Sequence, residues 1–484
     1  MTESFVLAID QGTSSTKVIA VAADGSVLAR GTSPLALVTP YPGWVEQDPR
    51  ALMESVRSAL VDLEAQIDLE HAACVGISNQ RESILLWNRG TGEPISPMIS
   101  WQDRRTTTLA EELAWSGPEV RALSGLPLDP MFSALKARWL LDEYDPQRLR
   151  ARAGELVLGT VDSWLLFCLT GEIGIEAGNA SRTSLVDLAT GDWSPRLLEI
   201  FDIPRAVLPG INPSVGCVGT IRDFPPLRDG IPISGVLGDS HAALFSHAGW
   251  RPGIVKATFG TGSSIMALAD DVAAGDTGLC RTIAWHLPGQ DPTVAWEANI
   301  LAAGATITWL SEILGCTPAQ LSLEAASHSG GVVMVPAFNG LAAPWWDPQA
   351  QALISGLSLS TGRGHLARAA LDSVICQVSD VISQLQVAGV EPVRLIADGG
   401  ITVNADVMER QATICELVVA VSPITEASAL GAAHAAGLGH GVWTLSDLEL
   451  LTREYVEYSA EQAPELRSSL LDTWHQALAL AQTH

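Results

Sequence analysis

Short apolar runs that end in small or polar residues set the pattern of this chain. Residues 5 to 30, FVLAIDQGTSSTKVIAVAADGSVLAR, form two apolar runs joined by a polar turn and a third after Asp24-Gly25, which predicts three strands. After the turn in YPGWVEQDP, residues 41 to 67 take helical spacing. The next stretch, ACVGISNQRESILLWNRGTGEPISPMISWQDRRT, predicts two short strands. Gln80, Arg81 and Glu82 follow the first, and Trp101, Gln102, Asp103 and Arg104 follow the second. Leu109 to Glu143 is helical with a break at Pro127, Asp129 and Pro130, and an apolar helix spans 159 to 171. Segments 179 to 195 and 203 to 221 are rich in turns, and residue types alone assign them no chemistry.

The pattern changes character at Ile231 to Phe245, IPISGVLGDSHAALF. An apolar run ends in Gly238 and places Asp239 and Ser240 at the mouth of an Ala-rich helix. A carboxylate at a strand-to-helix junction is rigidly held and suits a catalytic base. The same residues also cap helices, and on this stretch alone the cap is the better reading. RPGIVKATFGTGSSIMALADD then repeats the design of the N-terminal hairpin, strand, Gly/Thr/Ser turn, strand. Such a duplication suggests two related domains, each offering a hairpin to phosphates in a common cleft. A helix is predicted over 297 to 314, two loops rich in Pro, Trp and Gly over 332 to 361, and a long helix from His365 to Ala388. Strand 393 to 397 runs into Asp398-Gly399-Gly400 and a helix, and the small-residue helix 425 to 439 is expected to pack against that junction.

The first hairpin carries Gly12, Thr13, Ser14, Ser15, Thr16 and Lys17 directly after Asp10. Its N–H and O–H donors can close on phosphate oxygens, with Lys17 as a point charge and Asp10 holding magnesium through water. An ordinary Ser/Thr hairpin is the alternative. Arg81 and Glu82 together offer a donor and an acceptor to sugar hydroxyls, and Trp101 can cover a carbon chain; a local salt bridge with a core Trp is the competing reading.

A length of 484 residues implies two large domains, and the formal charge of −26 opposes the counterion release on which nucleic-acid binders rely. No long apolar span occurs and MTESFVLAID has no basic leader, so a cytoplasmic protein without a membrane span is expected. Seven scattered cysteines, with no C-x-x-C pair, read as reduced core residues. There is no G-x-x-x-x-G-K-[ST], H-R-D, D-F-G or G-x-S-x-G, so a phosphoryl transferase here would need neither a P-loop nor a protein-kinase fold.

The blocks DQGTSSTK, PGWVEQDP, GISNQRES, ISWQDRRT, GTVDSWL, NASRTSLVDL, ISGVLGDSHAALF, TFGTGSS, APWWDP and DGGITVN, in this order, span almost the whole chain. In this the sequence resembles the FGGY carbohydrate kinases, and among them the glycerol kinases. The resemblance implies an α/β protein of two ribonuclease-H-like (actin- and hexokinase-like) domains around a nucleotide cleft. The expected domains are 1–245, for the polyol and a phosphate hairpin, and 246–484, for the nucleotide. It further implies ATP and Mg2+, a small polyol or sugar substrate, and a homodimer or higher homo-oligomer. By carry-over, Asp239 is the general base, and Asp10 and Asp239 lie near the metal. Thr13, Ser14, Ser15, Lys17 and Thr261 line the phosphates, while Gly304, Gly400 and Asn404 flank the nucleotide. Arg81, Glu82, Trp101 and Asp239 hold the polyol.

Four positions depart from the glycerol kinase pattern. Lys17 stands where Arg is usual and cannot form a planar fork. Met131, Ser240 and Ser264 stand where Tyr, Gln and Phe surround the triol, which removes polar partners and enlarges the space. Glycerol is the first expectation; a four- or five-carbon polyol or ketose is the alternative. An actin-like ATPase without a sugar substrate is the reading from another class, against which NQRES and WQDRRT stand.

Overall fold

Strict alternation decides the first sheet. In the strand Phe5–Gln11, Phe5, Leu7 and Ile9 enter a core with Leu52, Val56, Leu60 and Leu63 of the helix Pro49–Glu64, while Val6, Ala8 and Asp10 take the opposite face. That helix starts where its sequence says it should, with the Asp48 side chain accepting from Arg50 N and Pro49 in the first turn.

A computed structural model of the chain describes residues 4–269, 277–451 and 453–482. It divides into two compact units, Met1–Ala248 with Arg281–Val294 and Glu426–Thr452, and Gly249–Cys280 with Ala295–Thr425 and Arg453–His484. This differs from a single cut at 245/246, because two segments of the second half belong with the first. The reason lies in the sheet of the first unit, whose order is Val215–Thr220, Pro232–Gly238, Ala72–Asn79, Phe5–Gln11, Ser15–Val21, Val27–Pro34. Its second face carries Gly76 and Gly235 side by side. A Cβ on Gly76 would lie 2.2 Å from Ala432 O, and one on Gly235 2.4 Å from Ala436 N. Only a helix of small residues approaches a sheet so closely, and Ala427–His440 is that helix. Gly431 in turn meets Ala242 of the helix Asp239–Ser246, where an added Cβ would stand 1.8 Å from the carbonyl oxygen. The small-residue helix therefore packs on this sheet and on the Asp239 helix, while the Asp398-Gly400 junction expected as its partner belongs to the other unit.

Residues 84–208 add a separate core to the same unit, built from Ile84, Leu86 and Ile99 with Leu135, Leu140 and Leu141 of the helix Ser133–Tyr144. The second unit repeats the central design of the first. Phe5–Gln11 pairs antiparallel with Ser15–Val21 and parallel with Ala72–Asn79. Ile254–Phe259 pairs antiparallel with Ser263–Leu268 and parallel with Arg394–Gly399 in the same way. The long helix Arg363–Val387 covers one face of that sheet, sharing its core. The predicted helix 297–314 is two elements: the strand Thr293–Ile300, whose Trp296, Ala298 and Ile300 alternate into the core, and the helix Gly304–Leu314.

Of the cysteines, Cys74, Cys280, Cys376 and Cys415 are buried and none of the seven is in a disulfide, but Cys217 is exposed on an irregular strand, where alternation places it outward. Among the described residues no helix is long and apolar enough to cross a membrane.

Candidate active site

In the first unit the parallel strands Phe5–Gln11, Ala72–Asn79 and Pro232–Gly238 end at one edge of the sheet, where α/β proteins place ligands. Each delivers a predicted site residue there: Asp10, the Arg81-Glu82 pair and Asp239. Register puts Lys17, Asp10 and Ser78 in one row of neighbours on one face. Burial pushes the Asp10 carboxyl up to about 6, and the negative charge of Asp239 adds to this, while the Ser78 hydroxyl and Lys17 oppose it. The two acids thus feel each other without contact.

Arg81 organises the site. Its guanidinium is buried, and Nε donates to Asp239 Oδ1 at 3.2 Å, Nη2 to Ser240 Oγ at 3.2 Å and Nη1 to His241 Nε2 at 3.3 Å. The fork thereby fixes three consecutive residues at the start of the Asp239 helix. The N-cap of this helix is Gly238, which has no side chain to cap with, and Asp239 is the first helical residue, so the cap expected of Asp239 is not formed. Its Oδ1 accepts from Ser240 N at 2.7 Å, and the side chain keeps 39% of its exposure.

Glu82 occupies the left-handed region at φ 61°, unusual for a side chain of its size, in a turn closed by Ser83 N on Arg81 O at 2.7 Å. It is buried and ion-paired to Arg182 Nε at 2.6 Å. Trp101 is held by its backbone N–H on Ser83 Oγ at 3.1 Å and by Nε1 on Thr13 Oγ1 at 3.0 Å. One hydroxyl of the phosphate hairpin therefore serves the Trp101 loop in this state. Ser14 is exposed at the hairpin tip and Ser15 and Lys17 are half-buried beside it. Met131 lies in a segment pinned by Asp129, whose Oδ1 accepts from Met131 N at 2.8 Å.

The second unit brings its own set together. Thr261 lies at the tip of the hairpin between Ile254–Phe259 and Ser263–Leu268, and Gly304 N donates to Gly260 O at 3.0 Å. A Cβ at position 304 would stand 2.6 Å from that carbonyl oxygen, which explains the glycine. Phe259 pairs with Gly399, so Gly400 follows at the same edge, and Asn404 caps the helix Ala405–Cys415 through Val407 N at 3.2 Å. Ser264 is half-buried on the strand, paired with Thr258 and Asn299.

A magnesium ion suits Asp10 and Asp239, since the Asp239 charge that adds to the raised proton affinity of Asp10 would be offset by a shared cation. Among the described residues no group of three or more His, Cys, Asp or Glu could hold a metal alone. That agrees with an ion that keeps waters and phosphate oxygens as ligands.

Residue reasoning passed over His241 and Arg182, although both lie in quoted blocks. Neither has a sequence signal of its own; each matters through a partner about 100 to 160 positions away in the chain. Asp162, in the first turn of the helix Val161–Thr170, accepts from Glu176 N at 2.7 Å and belongs to a buried acid network whose burial pushes Asp162 up to about 6 and Glu176 up to about 7.

The whole chain has close counterparts among known proteins. It is 42% identical over 460 residues to a protein named glycerol kinase from Methylorubrum extorquens (strain PA1), covering 91% of each chain. It is 40% identical to a glycerol kinase of Citrifermentans bemidjiense over 99% of this chain and 98% of that one. The crystal structure of Plasmodium falciparum glycerol kinase with ADP superposes with a TM-score of 0.93 at 30% identity, covering 100% and 99% of the two chains. A xylulose kinase from Rhodospirillum rubrum gives 0.87 at 26% identity, covering 98% of each. Residues 5–246 match the N-terminal domain, and residues 255–440 the C-terminal domain, of the FGGY family of carbohydrate kinases. With paired hairpin units, acids at the strand ends and this match along the chain, the protein belongs to the FGGY family of carbohydrate kinases.

Proposed function

We propose that this kinase transfers the γ-phosphoryl group of ATP to a hydroxyl of glycerol. The observation that carries the reading is the Arg81 fork, which ties the polyol-binding pair Arg81-Glu82 to the candidate base Asp239. The proteins of about 40% identity named glycerol kinase support the choice of polyol.

The chemistry follows from positioning and charge. Asp239 Oδ1 is committed to Arg81 and Ser240 N, which leaves Oδ2 to take the proton of the attacking hydroxyl. Arg81 and Glu82 orient the hydroxyls, and Trp101 covers the carbon chain. Lys17 and the Thr13-Ser14-Ser15 turn receive phosphate oxygens, as does Thr261 in its own unit, where Gly304, Gly400 and Asn404 flank the nucleotide. Asp10, with Asp239 near it through water, would hold the magnesium ion, which when bound would neutralise phosphate charge.

Asp239→Asn should lower kcat by about three orders of magnitude or more while leaving glycerol binding within a few-fold, since the amide keeps a hydrogen-bonding oxygen but cannot take the proton. Isothermal titration with glycerol and ADP release with MgATP separate the two effects. Retained turnover would remove Asp239 from the role.

One observation favours a longer polyol or a ketose instead. Ser240 Oγ accepts from Arg81 Nη2 at 3.2 Å, and its short side chain presents no long amide where glycerol kinases carry Gln. A kcat/KM screen of glycerol, erythritol, dihydroxyacetone, pentitols and ketopentoses decides between them. We expect glycerol to rank first; a five-carbon ketose ahead of it would replace the assignment.

A further inference from the structure

Lys136 is the cation that the site leaves unexplained. It lies in the first turn of the helix Ser133–Tyr144 and is fully buried. Its Nζ donates to Pro130 O at 3.2 Å and, at closer range, to Met131 O. A buried ammonium is a costly way to hold two carbonyls, so its retention calls for more than local packing.

Its surroundings supply the reason. Glu82, Asp103 and Asp129 all act on it with negative charge, and Arg104 opposes them. All four of these groups belong to the loops that carry Arg81-Glu82, Trp101 and Met131. The segment it grips is held from the other side as well. Asp129 Oδ1 accepts from Met131 N at 2.8 Å and is itself held by Arg104 Nη1 at 2.8 Å. Two residues further, Ser133 Oγ donates to Glu82 O at 2.9 Å, and Arg182, paired with Glu82, lies over the Phe132 ring at 5.0 Å. Met131 is thus gripped at both its backbone N–H and its carbonyl, in a segment bound to the polyol-facing acid.

We propose that Lys136 and Asp129 are positioning residues that clamp the backbone of Met131 and so set how tightly the polyol is held. The inference rests on the reading of Arg81, Glu82 and Asp239 as the polyol site. Burial also lowers the Lys136 ammonium to about 7, against the pull of Glu82, Asp103 and Asp129. The charge is therefore present below that pH and lost above it, and KM for the polyol should rise as pH increases through about 7.

The test compares full-length wild type, Lys136→Met and Asp129→Ala with glycerol and MgATP. Both variants should raise KM for glycerol by about tenfold while KM for ATP stays within about twofold, the mark of lost ground-state binding at one substrate only. The rise of KM for glycerol near neutral pH should be present in wild type and absent in Lys136→Met. An unchanged KM for glycerol, an equal rise in both KM values, or a pH limb that persists in Lys136→Met would overturn the proposal. Asp129 is half-buried where Lys136 is enclosed, so Asp129→Ala carries the KM test should Lys136→Met fail to fold. Wild-type enzyme inactive on glycerol but active on another polyol would overturn the substrate assignment instead, and the same variants are then read with that polyol.

Discussion

Asp10 shows how one residue can be placed against its own stability. Its proton affinity is raised by burial and by Asp239, so the folded, ligand-free protein binds the proton more tightly than the unfolded chain does. Between about pH 4 and 6 the contribution of Asp10 to stability therefore falls as pH rises, and at neutral pH its ionised carboxylate costs about 3 kcal/mol. Asp10→Asn should remove that cost, raise Tm at neutral pH by a few degrees and flatten its pH dependence, while abolishing phosphoryl transfer. Differential scanning calorimetry across pH checks the first part, and a lower Tm in the variant would contradict it. At this scale much was legible in the sequence, because Asp10, Lys17 and Asp239 sit at ends of apolar runs where strands must stop. Arg81 could be read as a candidate for sugar hydroxyls but not as the fork that holds Asp239, since a contact across 158 positions has no local pattern.

At the scale of elements, close approach replaces side-chain interdigitation. The sheet of the first unit and the helix Ala427–His440 meet through Gly76, Gly235 and Gly431. Gly76→Val has backbone, not a flexible side-chain end, in its way and should destabilise the protein by about 3 kcal/mol or more. Urea unfolding measures this, and a change below about 1 kcal/mol would show that the helix can move aside. The elements themselves were largely readable: the N-terminal strands, the helix after Asp48 and the hairpin at 260–262 lie where alternation and turn residues predict. The error at 297–314 has a plain cause. Its first residues are Ala-rich and match helical composition, but they pair with Ser263–Leu268 in the sheet, and that pairing overrides local preference.

For the whole molecule, the distribution of sequence over the two units carries a consequence for folding. The first unit needs Glu426–Thr452, so a chain cut after Ala248 leaves Gly76 and Gly235 facing water with no covering helix. Such a fragment should lack a cooperative unfolding transition, and supplying residues 426–452 in trans should restore one; circular dichroism during thermal unfolding is the readout. A cooperative fragment without the added segment would refute this. The sequence by itself determined the strand and hairpin elements, the acids at their ends and, through ten ordered blocks, the family. Those features are local, written in alternation, turn chemistry and spacing. The tertiary structure alone decided that residues 281–294 and 426–452 join the first unit, that Arg81 binds Asp239, Ser240 and His241 together, and that Lys136 grips Met131. These depend on close packing between segments distant in the chain, where complementarity of shape and charge, not periodicity, selects the partner.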